Sequence, residues 1–333
     1  MTARELVEAL RARGVIEADV AAIAAAGSDR PWFIALLQGV AGWFAGIFLL
    51  VFVGILIEPE STASIVICGV ILLASAWGLY FADRNAVFLD QLALALSIAG
   101  QIALAWAIIK DSKSAAFVSA MLLVLQCAVF AAMPNKIART LAALFASIAW
   151  IYLIRFWLRP GGRGDLFFGH DGLYHAPLLG GASVPIGWIV TWAPLVLATW
   201  WLVRREALWM AHGAAAFARP ALAGMLLGLS FGGIVTEPLS LFALGVQEMG
   251  IPFSLWSLFP LLSIALAMYA AHTAFRVQSH GLMGVAIFAA LVHLSRFYYL
   301  YGTTLMWKSG LMLLIGAALL LTAIALRRRG EAA

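Results

Sequence analysis

Ten apolar runs, each long enough to cross a hydrocarbon layer as an α-helix, follow one another along this 333-residue chain. A layer of roughly 30 Å needs about 20 helical residues to span it. The runs occupy 32–57, 63–82, 86–109, 115–133, 137–157, 186–203, 221–243, 257–275, 280–300 and 303–325. Apolar residues make up 64% of the chain, more than one soluble domain of this size folds inside. The runs therefore predict an all-α fold, a polytopic helical membrane bundle of about ten transmembrane helices with the lipid bilayer as its solvent.

Short polar breaks divide the runs: Glu58-Pro59-Glu60, Asp83-Arg84-Asn85, Lys110-Asp111-Ser112-Lys113 and Pro134-Asn135-Lys136. The seventh run is itself interrupted by Glu237-Pro238. Ahead of the first run, residues 1–30 read as a small helical hairpin. Thr2 and Glu5 have capping-box spacing, Leu6, Val7 and Leu10 form one stripe, and Gly14 and Gly27 are placed to end the two helices. These residues mix acids and bases, so no cleavable leader is expected and the first spanning helix directs insertion. The expected organisation is a hairpin over 1–30, a membrane domain over 31–326 with an outer loop at 158–185, and a basic tail over 327–333.

Orientation follows from Lys and Arg on alternate sides of the spans. With the N-terminus inside, the inner segments hold 14: Arg4, Arg11, Arg13, Arg30, Arg84, Lys136, Arg139, Arg204, Arg205, Arg219, Arg276 and Arg327 to Arg329. The outer side holds five, Lys110, Lys113, Arg155, Arg159 and Arg163, while Arg296 and Lys308 fall within spans. This bias puts both termini in the cytoplasm. Trp157, Trp188, Trp256 and Trp307 then mark the outer interface, and Trp32, Trp200 and Trp201 the inner one. The net charge of +5 is thus a topology signal rather than a nucleic-acid one. Cys68 and Cys127 sit in apolar runs as small hydrophobes and provide neither a disulfide framework nor a metal cluster.

Charges inside the hydrocarbon layer are the best pointers to function, because they are costly there and usually face protein or water. Glu237, Arg296 and Lys308 are such residues. Helical rise puts Glu237 about 24 Å, Arg296 about 23 Å and Lys308 about 22 Å from the inner face, so all three can meet in the outer leaflet. Fully ionised, that cluster has a net positive charge and suits an anionic ligand, a lipid headgroup or an acidic partner residue. The competing reading is that Glu237 and Arg296 pair to hold helices together while Lys308 snorkels to the interface. His293, three residues before Arg296 on the same face, reads either as a proton carrier or as a hydrogen-bonded buried histidine. Tyr298 and Tyr299 join the outer aromatic belt.

Two further patterns carry weaker chemistry. Gly228-Leu229-Ser230-Phe231-Gly232 matches a nucleophile pattern, but that element needs a strand–turn–helix elbow, and small residues in membrane helices usually serve close packing. The Gly-rich segment 158–185 holds His170, His175, Asp165 and Asp171 at no zinc spacing, and its Phe167, Phe168 and Tyr174 suit docking on a membrane or a partner. No motif implies a cofactor.

The stretch Arg296-Phe-Tyr-Tyr-Leu-Tyr-Gly-Thr-Thr-Leu-Met-Trp-Lys308-Ser-Gly, followed by an apolar run ending in Leu-Arg-Arg-Arg, resembles a bacterial membrane family. That family is a domain of unknown function whose genes often accompany small membrane-anchored proteins with a GDYxxLxY motif. Met306 here replaces one Leu of the family's Tyr-Tyr, Thr-Leu-Leu and Lys-Ser pattern. The hairpin from Leu6 to Ile23 is similar to the opening of a related family. The resemblance implies a multi-pass bacterial inner-membrane protein in an envelope complex with that membrane-anchored neighbour, and it implies no activity. It places Arg296, Tyr298, Tyr299 and Lys308 in the part most like a family signature.

Together these features point to a non-enzymatic membrane subunit or scaffold that binds an envelope partner through the outer loop and the outer-leaflet cluster. The alternative is a permease or lipid-handling protein with an anionic-substrate site there. An intramembrane hydrolase requires Ser230 within hydrogen-bond reach of a histidine. A reporter fused after Ala333 tests the topology. A fluorescent protein that matures only in the cytoplasm is expected to be bright there, and a periplasmic phosphatase at the same position inactive.

Overall fold

A computed structural model of the chain describes residues 32–57, 61–82, 87–112, 114–157, 183–236, 259–300 and, nearer the C-terminus, 306, 309–310, 313–314 and 316–317. Among these residues every regular element is helical, and no strand occurs. The helices are α1 (Trp32–Ile57), α2 (Thr62–Ala82), α3 (Val87–Asp111), α4 (Ala115–Ala132), α5 (Lys136–Trp157), α6 (Ser183–Arg204), α7 (Glu206–Ala211), α8 (Ala215–Thr236), α9 (Phe259–Arg276) and α10 (His280–Leu300). The N-terminal hairpin, most of the outer loop and most of the tenth run lie outside the described residues. Two differences from the sequence reading stand out. The short helix α7 was not foreseen, and α8 begins at Ala215 rather than at 221, with Pro220 inside it.

Among the described residues, six helices are long and apolar enough to cross a membrane: Thr62–Ala82, Phe88–Asp111, Ala115–Ala132, Lys136–Ile154, Ile186–Arg204 and Ala215–Gly233. Packing across the described helices has the pattern expected in lipid. Large side chains point outward, with Phe48 72% and Ile55 70% exposed, whereas Ala76, Ala93, Ala142, Ala267, Ala270 and Ala289 are fully buried. Lipid tails are as apolar as leucine, so association rests on close backbone approach, which small residues allow. Four buried hydroxyls are satisfied within their own helices, Ser119 on the Ala115 carbonyl, Ser147 on Ala143, Thr191 on Gly187 and Thr199 on Leu195. Bonds of this kind keep a hydroxyl donor from being stranded in hydrocarbon.

The chain divides into two compact units, Met1–Lys110 and Asp111–Ala333. In the first, α1 and α2 each meet α3 at glycines. A Cβ on Gly42 would lie 2.9 Å from the Phe88 carbonyl oxygen, and one on Gly100 would lie 2.8 Å from that of Gly69. Trp43 Nε1 donates to Gln91 Oε1 at 3.1 Å across the α1–α3 contact.

In the second unit, α8 packs against α5, α6, α7, α9 and α10. Its Gly224, Gly228 and Gly232 face Ala143, Ser147 and Ile151 of α5 in turn, so the two helices run parallel. Asn135 Oδ1 accepts from the amides of Ile137 and Ala138, which caps the start of α5. The turn from α9 to α10 has Gln278 at φ 56°, with Ser279 N donating to Ala274 O and Gln278 N to Phe275 O. This is a left-handed helix end of the kind glycine usually occupies.

The glycine stripe makes a graded prediction. A Cβ at Gly224 would lie 2.5 Å from the Thr140 carbonyl oxygen, a backbone atom that cannot rotate away, whereas Gly284 faces open space. Gly224→Ala is expected to cost about 1–3 kcal/mol in detergent unfolding, and Gly284→Ala to stay within about 0.5 kcal/mol or to stabilise.

Candidate functional site

Of the six residues singled out from sequence, His293 is the one whose side chain is described. Glu237 and Lys308 lie outside the described residues, and Arg296, Tyr298 and Tyr299 are described only as backbone of α10. His293 is 1% exposed, and its Nε2 lies 2.8 Å from the backbone oxygen of Ser230. A carbonyl can only accept, so Nε2 carries the hydrogen, and any change of ring protonation takes place at Nδ1. This is the hydrogen-bonded buried histidine of the two readings. It ties α10 to α8.

The bond also sets the register between these helices. Ala286 shares a core cluster with Leu222, Leu226 and Leu229, and Phe231 packs against the cluster of Ala267, Ala289 and Ala290, an order that fits α8 and α10 running in the same direction. Measured from helix starts at Ala215 and His280, Ser230 is about 22 Å and His293 about 20 Å along its axis. A start at 221 would leave Ser230 about 14 Å along and the two residues mismatched. Beyond the bond, Thr236 lies six residues past Ser230 and Arg296 three residues past His293, which is about 9 Å and about 4.5 Å of rise.

The same geometry corrects the hydrolase option. The Ser230 hydroxyl donates to the Leu226 carbonyl at 2.8 Å, and the imidazole nitrogen bonds the serine's backbone rather than its Oγ. A general base must reach the proton it removes. Gly228 and Gly232 of the nucleophile-like pattern instead face Ser147, Ile151 and Trp192, where a Cβ on either glycine would lie 2.7 Å from a neighbouring side chain. The pattern is a packing stripe.

Sequence reading missed the most elaborate polar node of the second unit. Arg139, counted there only as an inner-side topology charge, sits in the first turn of α5 and is only 7% exposed. Its Nη1 donates to the Ala216 carbonyl at 2.9 Å, and its guanidinium carbon lies 3.7 Å from the centre of the Phe217 ring. Ala216 is four residues before Pro220, so its oxygen is the one a proline nitrogen cannot serve. Arg139 supplies the missing donor. A related bond occurs at Pro194 of α6, where Trp150 Nε1 donates to Thr191 O at 3.1 Å, one residue on from the carbonyl that this proline leaves unserved. Thr199 and Tyr269 complete the set, with their hydroxyls 3.1 Å apart between α6 and α9. A proline inside an apolar run is the signal that a donor is needed, but nothing in one dimension says which residue provides it.

The beginnings of α5 and α8 and the end of α6 share one end of the second unit, because α5 and α8 are parallel and the short α7 joins α6 to α8. Lys136, Arg139, Arg204, Arg205 and Arg219 all lie there, against Glu206 as the described acid. Arg204 stacks over Trp200 at 4.1 Å and Arg205 over Trp201 at 4.7 Å, as expected of residues at a membrane interface. Among the described residues no group of three or more His, Cys, Asp or Glu side chains is arranged to hold a metal, and the loop with His170 and His175 lies outside them.

A family model described as a domain of unknown function, DUF4401, matches residues 31–262. The matched region contains α1 to α8 and excludes both segments, Leu6–Ile23 and Arg296–Gly310, on which the resemblance in the sequence rests. No curated protein and no solved structure matches the chain.

The arginine–proline pairing is testable by a double-mutant cycle. Arg139→Met leaves the Ala216 oxygen unserved and is expected to cost about 1–3 kcal/mol in detergent unfolding. Pro220→Ala restores an amide for that oxygen, so in its background the same replacement should cost at least about 1 kcal/mol less. Additive effects would refute the pairing.

Proposed function

The chain belongs to the DUF4401 family, and from that premise we propose that it is a non-enzymatic subunit of an envelope complex in a bacterial inner membrane. In this reading it crosses the bilayer ten times with both termini in the cytoplasm. Glu237, Arg296 and Lys308, with Tyr298 and Tyr299 beside them, form an outer-leaflet cluster that binds a small membrane-anchored partner together with the loop 158–185.

The observation that carries the proposal is the His293–Ser230 bond. It aligns α8 with α10 at known levels. In this reading Glu237, Arg296 and Lys308 share a level in the outer leaflet, as helical rise along their runs expects, with Arg296 about 4.5 Å of rise past His293. An acid and two bases at that level retain a positive excess for an acidic partner group.

A scaffold is favoured over a permease by what surrounds His293. A permease needs water to reach mid-depth, whereas Ala267, Ala289 and Ala290 are buried against Phe231, and Ser230 and Ser263 are buried at 1% and 2% exposure. Small residues buried at this level suit a fixed frame that presents a surface.

The test is gentle purification of the tagged full chain from native membranes, with mass spectrometry of what accompanies it. The wild-type chain is expected to bring down a small single-span protein. Deletion of 161–183 should abolish its recovery, and Arg296→Ala should reduce it. An unchanged set of companions in both variants would rule the proposal out.

A further inference from the structure

Arg139 does more at its end of the bundle than serve a carbonyl. Its Nη1 is committed to Ala216 O, yet its Nε is buried with no hydrogen-bond partner, and it makes no ion pair with a carboxylate among the described residues. A guanidinium that is 7% exposed, with no counter-charge among the described residues, is expensive in a low-dielectric setting. The candidate span of α5 begins at Lys136, so Arg139 lies one turn, about 4.5 Å, inside the boundary where headgroups meet hydrocarbon. Exposed Lys136 shares its helix face, three residues away, and exposed Arg219 lies in the first turns of α8 beside the Arg139-bound segment.

From these observations we infer that this corner of α5 and α8 is a binding site for the phosphate of an anionic phospholipid. Arg139 is the buried anchor, and Lys136 and Arg219 are the outer cations. The aromatic floor fits such a guest. Phe217 is exposed under the guanidinium, and its ring centre is 6.2 Å from that of Phe130 on α4, leaving an apolar wall along which an acyl chain can descend. A lipid meets both halves of the site, whereas a free phosphate meets only the cations. Charge complementarity points the same way, since Glu206 is the described acid at this end of the unit against Lys136, Arg139, Arg204, Arg205 and Arg219. The inference needs only a membrane-embedded chain and is independent of the cluster proposed around Arg296.

The experiment uses the full chain in nanodiscs of equal phosphatidylglycerol and phosphatidylcholine, released into detergent for native mass spectrometry of retained lipid. Wild type is expected to keep phosphatidylglycerol selectively, and selectivity should fall as salt rises. Removing the outer cations by Lys136→Gln and Arg219→Gln, both exposed positions that spare the fold, should weaken retention about fivefold each. Arg276→Gln, at another helix end, is the control and should leave it unchanged. Inorganic phosphate alone should not raise the melting temperature. Equal retention of the two lipids, equal loss from the Arg276 variant, or stabilisation by phosphate without lipid selectivity would each overturn the assignment.

Discussion

A backbone carbonyl in hydrocarbon has no water to turn to, and the second unit depends on how that demand is met at its prolines. Pro220 breaks the helical ladder at Ala216 O, and the Arg139 guanidinium closes the gap from the neighbouring helix. The bond binds α5 to α8 near one end. Trp150 Nε1 ties α5 to α6 near Pro194 through the Thr191 oxygen, the neighbour of the carbonyl that proline leaves unserved. Helix α5 thus lends donors to two proline-containing helices, and at Pro220 its donor fills the gap itself. Ordinary helix pairs in lipid have only dispersion and packing to hold them, so such bonds also specify which face meets which.

Between those ties the contact is made of small residues. Gly224, Gly228 and Gly232 step along Ala143, Ser147 and Ile151 at one-turn intervals, which brings the backbones close enough for dispersion to accumulate. His293 extends the arrangement to α10 by holding the oxygen of Ser230, on the same stretch of α8 as the glycine stripe. One helix therefore has a packing face, a proline repaired from outside and a histidine tether, and its register governs the positions of its neighbours.

Nine of the ten helices among the described residues were legible from hydropathy to within a few residues at most ends, because length and apolarity are local properties. The exceptions have physical causes. Pro220 looked like a boundary, since proline at a helix interior loses a hydrogen bond, and so α8 was begun six residues late. Helix α7 is too short to show in a run of apolar residues; it is anchored by Trp209, whose Nε1 donates back to Leu202 O. Arg139 counted only toward the inner-side charge bias, because a cation beside Lys136 at a helix start usually faces headgroups. Of the candidate site, His293 is buried and bonded, as one of its two readings had it, and its partner, a main-chain oxygen, bears no mark in the sequence.

The amino-acid order alone determined the class of solvent and the kind of element. Long apolar runs in lipid must satisfy their backbones internally, and helices do this without reference to any other part of the chain. Which donor rescues which proline, which glycine meets which backbone, and whether a histidine addresses a serine's hydroxyl or its carbonyl were decided by tertiary structure. Those outcomes depend on register and rotation between helices far apart in sequence, as with Arg139 and Ala216, or Ser230 and His293. Small differences in close packing fix these quantities, and no local pattern encodes them.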